Sequence, residues 1–216
     1  MPQLADSYRQ QGYLPLPHLI PREIGLGFLD ALQSGLTRQN ASFANLLQPN
    51  HLLRAPAAEI YGHHYPPLHG FHWGMTAAIQ DFVGEQLLPT YAYFRLYRQG
   101  DICRVHCDRY ACEHSVSLTL AYSDDLPWAL EVATRRDDNP RQRSDADFAN
   151  DEQPEAVSMQ AGDAVLYQGV HHHHGRTAPN PNAWSAHLFL HWVTRDGPYK
   201  GEAFDKQVPP ERVTID

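Results

Sequence analysis

The fold of this chain is indicated by YRQGDICRVHCDRY at residues 97–110, in which one residue separates His106 from Asp108. On an extended backbone both side chains project to the same face, so their donor atoms can share one metal ion. The pair alone is weak evidence, because it also occurs as a surface polar pair. GDAVLYQGVHHHHGR at residues 162–176 strengthens it. A turn, a strand and then histidine would bring a third ligand from a neighbouring strand.

The residues around the first segment have the pattern of β-strands. From residue 90 to Tyr97 every second residue is apolar or small, which is the two-residue period of a strand. Turn signals such as Gly162-Asp163 separate the strand candidates. Further strands are predicted at 115–122, 128–132, 156–159, 164–168 and 187–194. Short strands at this spacing predict an antiparallel sandwich or barrel.

The N-terminal part has a different pattern. Apolar residues recur at helical spacing over 21–36 and 75–88, the second run being closed by Pro89, and residues 38–72 are predicted to be loop. We therefore divide the chain into a helical and irregular segment at 1–89 and a β core at 90–216, forming one structural domain.

Residues 133–155 interrupt the strand pattern. The stretch ATRRDDNPRQRSDADFANDEQPE is rich in charge and almost without large apolar side chains. Such a composition does not bury enough apolar surface to fold by itself. Because strands resume after it, the segment is predicted to be a solvated loop within the domain.

Charge and targeting signals exclude several classes of protein. Seventeen Lys+Arg against 25 Asp+Glu give a net charge of −8, so we expect no nucleic-acid partner. No apolar run approaches the roughly 18–20 residues that span a bilayer, and the first residues lack the apolar core of a signal peptide. Three clustered cysteines without a CxxC pair argue against a disulfide framework and against a thiolate zinc site. We expect a cytoplasmic protein without a membrane partner.

Histidine is the outlier in composition, with 14 residues, four of them consecutive at His171–His174. A chain rich in histidine and poor in cysteine favours iron, copper, nickel or zinc. Two imidazoles and one carboxylate on one face of a metal leave positions open for other ligands, an arrangement that suits Fe(II). Catalytic zinc sites also use this set of ligands, with fewer open positions.

Both segments resemble the 2-oxoglutarate- and Fe(II)-dependent oxygenases, particularly the prolyl-hydroxylase-like branch. The first block of that family is similar to Tyr97-Arg-Gln-Gly100 followed by His106-Cys-Asp108, and CEHSVSLTL at 112–120 resembles its continuation in one bacterial branch. The resemblance covers 90–195 well and 5–35 loosely. The residues that match the distal block are Gly162, Asp163, Tyr167, Gly169, His174 and Arg176.

The resemblance implies a metal site formed by His106, Asp108 and His174. The spacing of the distal block selects His174 from the four histidines, with His172, on the same strand face, as the alternative. For the other members of the run, His171 and His173, three roles are left open: a less favoured alternative ligand, a group that contacts a ligand, or a surface residue.

The resemblance also implies a cation for the far carboxylate of 2-oxoglutarate. Many family members carry a basic residue about ten positions after the distal histidine, but this chain has Trp184 there. A dicarboxylate needs a bidentate cation, which arginine supplies. Arg176 is the first candidate, Arg95 is the second, and Tyr97 is a candidate hydroxyl donor.

The implied fold is mainly β, a double-stranded β-helix (jelly roll) with flanking N-terminal helices. The implied cofactors are Fe(II), 2-oxoglutarate and O₂, with ascorbate as a reductant, and the implied reaction is hydroxylation or another oxidation of an unactivated C–H bond. The substrate is a small molecule or a peptide or protein side chain, and the oligomeric state is left open. Two alternatives remain, a cupin-like metalloenzyme without 2-oxoglutarate and a noncatalytic jelly-roll binding domain.

Overall fold

The computed structural model describes residues 2–138, 144–207 and 209–214. The helices are α1 (Pro2–Gln11), α2 (Arg22–Arg38) and α3 (Pro66–Val83). Within the described residues, the strands are β1 (Tyr13–Leu16), β2 (Leu47–Gln48), β3 (Ala57–Tyr61), β4 (Leu87–Arg98), β5 (Cys103–His106), β6 (His114–Tyr122), β7 (Leu130–Ala133), β8 (Ser144–Asp145), β9 (Pro154–Val157), β10 (Ala164–Tyr167), β11 (His174–Arg176) and β12 (Trp184–Thr194). The prediction of a mainly β chain with N-terminal helices is confirmed.

The strands form two antiparallel sheets. The larger has the order β1-β10-β6-β12-β4-β3-β2, and the smaller has the order β8-β5-β11-β7-β9. Side chains from both sheets meet in shared clusters, for example Trp128, just before β7, with Phe189 of β12. The predicted antiparallel sandwich is therefore confirmed, and its interior lies between the sheets.

Strand β12 shows how alternation separates the apolar core from the polar interior. Leu188 and Leu190 belong to the cluster that packs the large sheet against the helices, together with Leu32 of α2 and Ile79 of α3. Each such buried leucine contributes about 2 kcal/mol relative to an exposed one. The intervening residues of β12 face the small sheet, because successive side chains point to opposite faces.

The N-terminal 89 residues contribute strands as well as helices. Strand β1 pairs with β10, and β3 pairs with β4, so both belong to the large sheet. The prediction of loop throughout 38–72 is wrong, because β3 and about the first two turns of α3 lie within it. Strand β3 is only five residues long, and the first residues of α3 are rich in Pro, His and Gly, so their composition resembles that of a loop.

Helix α3 ends earlier than its predicted boundary. Gly84 adopts a left-handed conformation with φ of 79° and donates its N–H to Gln80 O at 2.7 Å. Gly84 therefore ends the helix, as left-handed glycines commonly do. Pro89 lies in β4 instead of closing the helix. It faces the register shift between Leu190 and Trp192, where a missing N–H is tolerated.

The predicted loop at 133–155 is only partly irregular. Its described residues include β8, which pairs with β5, and the start of β9, which pairs with β7. The segment therefore connects the two edges of the small sheet. Residues 139–143 lie outside the described part of the chain.

None of the helices in the described ranges has the length and apolar character needed to cross a bilayer.

Replacing Gly84 tests the end of α3. A Cβ there would lie 2.8 Å from Arg9 Nη1 and 3.0 Å from Ala5 Cβ, on a backbone that disfavours L side chains. We expect Gly84→Ala to lower the free energy of unfolding by about 1–2 kcal/mol in urea denaturation. The control is Gly27→Ala in α2, where a Cβ meets nothing within 4 Å and should stabilise by about 0.5–1 kcal/mol. Destabilisation of equal size by both variants would contradict this account.

Candidate metal centre

Two neighbouring strands of the small sheet bring the predicted ligands together. His174 on β11 lies directly opposite His106 on β5 in the antiparallel register. Asp108 follows β5, and its backbone N–H donates to Gly169 O at 2.8 Å, which holds the chain against the distal segment. Residues distant in sequence thus meet at one point.

The three side chains form a compact cluster. One ligand atom from each of His106, Asp108 and His174 lies within 4.8 Å of the others. His106 Nε2 is 3.4 Å from Asp108 Oδ1, and His174 Nε2 is 3.4 Å from Asp108 Oδ2. These separations leave the three atoms close enough to share one ion.

The hydrogen bonds of both imidazoles leave Nε2 available as a ligand atom. His106 Nδ1–H donates to Arg104 O at 2.8 Å, and His174 Nδ1–H donates to His172 O at 2.9 Å. This leaves Nε2 of each ring facing Asp108. Asp108 Oδ2 is buried and accepts no hydrogen bond from the part of the chain that the structure describes. Two imidazole nitrogens and a carboxylate thus converge at one point, and these donor types fit a divalent cation.

The pKa shifts of Asp108 and His106 also favour binding of a divalent cation by this cluster. Burial acts to raise the pKa of the Asp108 carboxyl, but His174 and His106 lower it, and the net pKa lies well below its usual range. Burial and the neighbouring His174 both lower the pKa of His106. The carboxylate is therefore ionised and His106 is neutral near pH 7, the protonation states that bind metal.

Gly169 keeps this side of the cluster open. A Cβ at this position would lie 2.4 Å from Asp108 Oδ2 and 2.9 Å from Cys112 O. Only glycine allows the two chain segments to approach this closely. The glycine of the distal block therefore has a direct steric role beside the carboxylate.

The other three histidines of the run bind the 133–155 segment instead of the cluster. His171 Nδ1–H donates to Asp137 O at 3.0 Å, and His172 Nδ1–H donates to Ala133 O at 2.8 Å. His173 Nδ1 is hydrogen-bonded to the buried carboxylate of Glu152. The ring of His172 also packs against Gly12, away from the cluster. Among the described residues, only His174 of this run joins the candidate ligands.

A second arrangement shares Asp108 with Cys112 and His191, whose ligand atoms also lie within 4.8 Å of one another. Burial raises the pKa of the Cys112 thiol well above its usual value, so the sulfur stays protonated and is a poor ligand. The Tyr91 hydroxyl lies 3.1 Å from this sulfur. The set with two imidazoles is the better candidate.

Arg176 lies on the same strand as His174 but deeper between the sheets. Its side chain is 1% exposed, donates to Trp128 O, donates to Ser117 Oγ at 3.3 Å, and lies 4.8 Å from the Trp128 ring. Within the described ranges it forms no ion pair. A buried cation without an anion is costly, so this site suits an anionic group from a ligand.

Arg95 is already neutralised by the protein. Its Nε and Nη2 lie 2.9 and 2.8 Å from Glu59 Oε1, and its Nη1 donates to Tyr97 Oη at 3.0 Å. Burial raises the pKa of Tyr97 to about 12, so its hydroxyl remains protonated and keeps a proton to donate. The structure thus brings Arg95 and Tyr97 to the interior near Trp128, with Arg95 bound to Glu59.

His187 is an interior residue that the sequence analysis missed. It lies opposite Arg95 in the β12–β4 register, and its ring is 5.6 Å from that of Tyr97. Its Nδ1 lies 3.3 Å from Thr119 Oγ1, whereas its buried Nε2 has no hydrogen-bond partner among the described residues. Burial and the nearby Arg176 and Arg95 lower its pKa well below the usual value, so the ring is neutral. The two-residue alternation of β12 could have revealed it, because His187 and Phe189 occupy the positions that face the small sheet.

Comparisons with known proteins agree with this geometry at the level of fold. The sequence matches no protein-family model and no curated relative. Among solved structures, it resembles a prolyl-4-hydroxylase from Pseudomonas putida, with 18% identity and a TM-score of 0.55 over 90% of this chain and 98% of the other. It also resembles the α-ketoglutarate-dependent carbocyclase SnoK of nogalamycin biosynthesis, with 14% identity and a TM-score of 0.64 over 100% and 94%. HygX from Streptomyces hygroscopicus, solved with nickel, 2-oxoglutarate and hygromycin B, shows 11% identity and a TM-score of 0.66 over 91% and 88%.

These likenesses extend over nearly the whole of each chain. The protein therefore has the fold of the 2-oxoglutarate- and Fe(II)-dependent oxygenases, and the resemblance first seen in the sequence is confirmed at that level. A shared fold does not by itself assign ligands to this chain. The roles of His106, Asp108 and His174 as metal ligands stay a prediction.

Substitution of each candidate ligand tests the metal site. We expect His106→Ala, Asp108→Ala and His174→Ala each to weaken Co(II) binding by at least about 100-fold, because each removes one of three ligands. The visible absorption of bound Co(II), followed during titration, measures this directly.

His171→Ala and His172→Ala are the matched controls, since both imidazoles bind carbonyl oxygens outside the cluster. Their Co(II) affinity should stay within about threefold of the unsubstituted protein. Loss of binding in His172→Ala together with normal binding in His174→Ala would show that the distal ligand is misassigned.

Proposed function

We propose that this protein is an Fe(II)- and 2-oxoglutarate-dependent dioxygenase that hydroxylates an unactivated C–H bond. The observation that carries the proposal is the convergence of two imidazole nitrogens and one carboxylate oxygen at His106, His174 and Asp108, with Nδ1 of both rings bound to carbonyl oxygens. The fold shared with oxygenases of this kind supports it. The overall reaction balances as R–H + O₂ + 2-oxoglutarate → R–OH + succinate + CO₂.

In this proposal His106, Asp108 and His174 hold Fe(II). Bound iron supplies the reactivity toward O₂, and 2-oxoglutarate supplies two electrons on oxidative decarboxylation. Ascorbate keeps the iron reduced. The carbonyl oxygens of Arg104 and His172 fix the ring orientations by accepting from Nδ1–H, so the ligand geometry exists before the metal arrives.

Arg176 is our candidate for the far carboxylate of 2-oxoglutarate. It follows His174 by two residues on β11, so both side chains enter the interior about 6–7 Å apart along the strand. Within residues 2–138, 144–207 and 209–214, Arg176 makes hydrogen bonds only to neutral oxygens, whereas Arg95 is bound to Glu59. An incoming carboxylate gains more from the cation that lacks an anion.

Tyr97 and His187 complete the proposed anion site. The Tyr97 hydroxyl has a proton to donate, and no described residue forms a hydrogen bond with the Nε2 of His187. The other ring nitrogen of His187, Nδ1, is hydrogen-bonded to Thr119 Oγ1. These neutral groups add hydrogen bonds to a carboxylate beside Arg176 without adding charge repulsion.

The two alternatives differ in what they bind. A cupin-like metalloenzyme would use the metal cluster without 2-oxoglutarate, and a noncatalytic binding domain would use neither. Anaerobic addition of Fe(II) and then 2-oxoglutarate separates the three, because chelation of iron by the keto acid produces a weak visible absorption band. The proposed function expects this band and, after air and ascorbate are added, slow succinate release without substrate. Metal binding without the band supports the cupin-like alternative, and no metal binding supports the binding domain.

Replacing Arg176 tests the cosubstrate site. We expect Arg176→Ala to raise the Kd for 2-oxoglutarate by about tenfold or more, since the buried carboxylate loses its cation, and to leave Fe(II) affinity little changed. Arg176→Lys should recover only part, because the bidentate fork is lost. Titration of the iron-loaded protein, followed by the visible band, provides the measurement.

The comparison variant is Arg95→Ala, which removes the arginine already bound to Glu59. A normal Kd in Arg176→Ala with a raised Kd in Arg95→Ala would move the carboxylate site to β4.

A further inference from the structure

A cavity of about 390 Å³ opens beside the candidate metal centre and is bordered by His106 and Asp108. This volume holds a small organic molecule. A substrate C–H bond must come close to the metal, so this cavity is the place from which a substrate would approach. Its lining therefore carries information about the class of substrate.

One wall of the cavity is formed by three tyrosines, Tyr61, Tyr91 and Tyr93. Their rings are nearly parallel, with interplanar angles of 10–30° and centroids 5.4–6.4 Å apart. All three side chains are half-buried, so part of each ring remains open to the cavity. A row of near-parallel aromatic rings is a surface on which a planar ring packs well.

Two arginines also line the cavity, and their partners differ. The Arg95–Glu59 pair is buried, with side chains 5% and 13% exposed, and it is fixed by two contacts from the guanidinium. The Arg109–Asp205 pair is exposed, at 41% and 49%, and has one contact of 3.2 Å. Because exposed ion pairs contribute little, the carboxylate on Arg109 is easily exchanged.

Arg109 is held in place independently of Asp205. Its guanidinium carbon lies 4.1 Å from the centroid of the Tyr91 ring, and it directly follows Asp108 in the chain. The cation is therefore fixed at the junction of the tyrosine wall and the candidate metal centre. It keeps this place when the carboxylate that it binds is replaced.

The segment that supplies Asp205 is strained. Phe204, Asp205 and Lys206 are three consecutive non-glycine residues with φ of 52°, 54° and 66°, in the left-handed region that side chains disfavour. The ring of Phe204 packs edge-on against the exposed ring of Trp73, with 6.2 Å between the ring centroids. Because the segment that holds Asp205 against Arg109 is strained, a ligand with its own carboxylate readily displaces it.

We propose, on the premise of the function proposed above, that the substrate is a small organic anion with a planar ring. Its ring packs against the tyrosine wall, and its carboxylate replaces Asp205 on Arg109. Among the described residues that line the cavity, the only carboxylate is Asp108, which the metal neutralises. The lining therefore favours an anion even though the chain carries a net charge of −8.

The experiment measures binding of benzoate, benzamide and acetate by calorimetry. The protein is loaded with Zn(II) and 2-oxoglutarate, so that the metal cluster and Arg176 are already filled. We expect benzoate to bind at least about tenfold more tightly than neutral benzamide and than acetate, which lacks the ring. Equal binding of benzoate and benzamide overturns the anion site, and equal binding of benzoate and acetate overturns the role of the tyrosine wall.

Substitutions of the two ion-pair partners should have opposite effects. Arg109→Gln should weaken benzoate binding by about tenfold or more, whereas Asp205→Asn should tighten it about threefold, because it removes the competing carboxylate. Arg98→Gln, at an exposed arginine that does not line the cavity, is the matched control and should change nothing. Thermal unfolding of each variant checks that the fold persists.

Weakening by both Arg109→Gln and Asp205→Asn would show that the pair only holds the fold together, and it overturns the proposal. Absence of benzoate binding in both the unsubstituted protein and Asp205→Asn overturns it as well. Failure of Zn(II) or 2-oxoglutarate to bind in their own titrations contradicts the proposed function instead. In that case benzoate binding to the metal-free protein, with the same variants, still decides the role of Arg109.

Discussion

The antiparallel pairing of β5 with β11 is the constraint on which the candidate site depends. This register places His174 opposite His106, and the hydrogen bond from Asp108 N–H to Gly169 O brings the carboxylate beside both rings. A slip of one residue would turn either imidazole to the other face of the sheet. The close approach at Gly169 keeps the Asp108 carboxylate near both rings, and the carbonyl acceptors fix the orientation of each ring. The three candidate ligand atoms are therefore positioned without a metal.

Three arginines of the molecule, two buried and one partly exposed, differ in the partners that they bind. Arg95 is neutralised by Glu59, and Arg109 has an exposed and exchangeable partner in Asp205. Arg176 is buried, and among the described residues its hydrogen-bond acceptors are neutral. Because an unpaired buried charge is costly, Arg176 suits an anion from a ligand, which in the proposed function is 2-oxoglutarate. Arg95 has a structural role through Glu59, and Arg109 lines the cavity beside the candidate metal centre.

The four consecutive histidines have two different roles: three of them bind the 133–155 segment, and His174 joins the candidate metal cluster. His171, His172 and His173 hold the charged segment after β7 through Asp137 O, Ala133 O and Glu152. That segment has few apolar side chains, so hydrogen bonds replace hydrophobic contacts in fixing it. The attachment also places the 133–155 segment directly beside the strand that carries His174.

The sequence by itself determined the β-rich architecture and the two segments that meet at the candidate centre. Alternation over two residues and the one-residue spacing of His106 and Asp108 are local properties, so they can be read along the chain. Local patterns did not reveal the early start of α3 or strand β3, which are fixed by packing on the large sheet. Only the tertiary structure decided which arginine lacks an anion and that His187 lies in the interior. It also decided that His172 turns away from the cluster, because partners and burial depend on residues far apart in sequence.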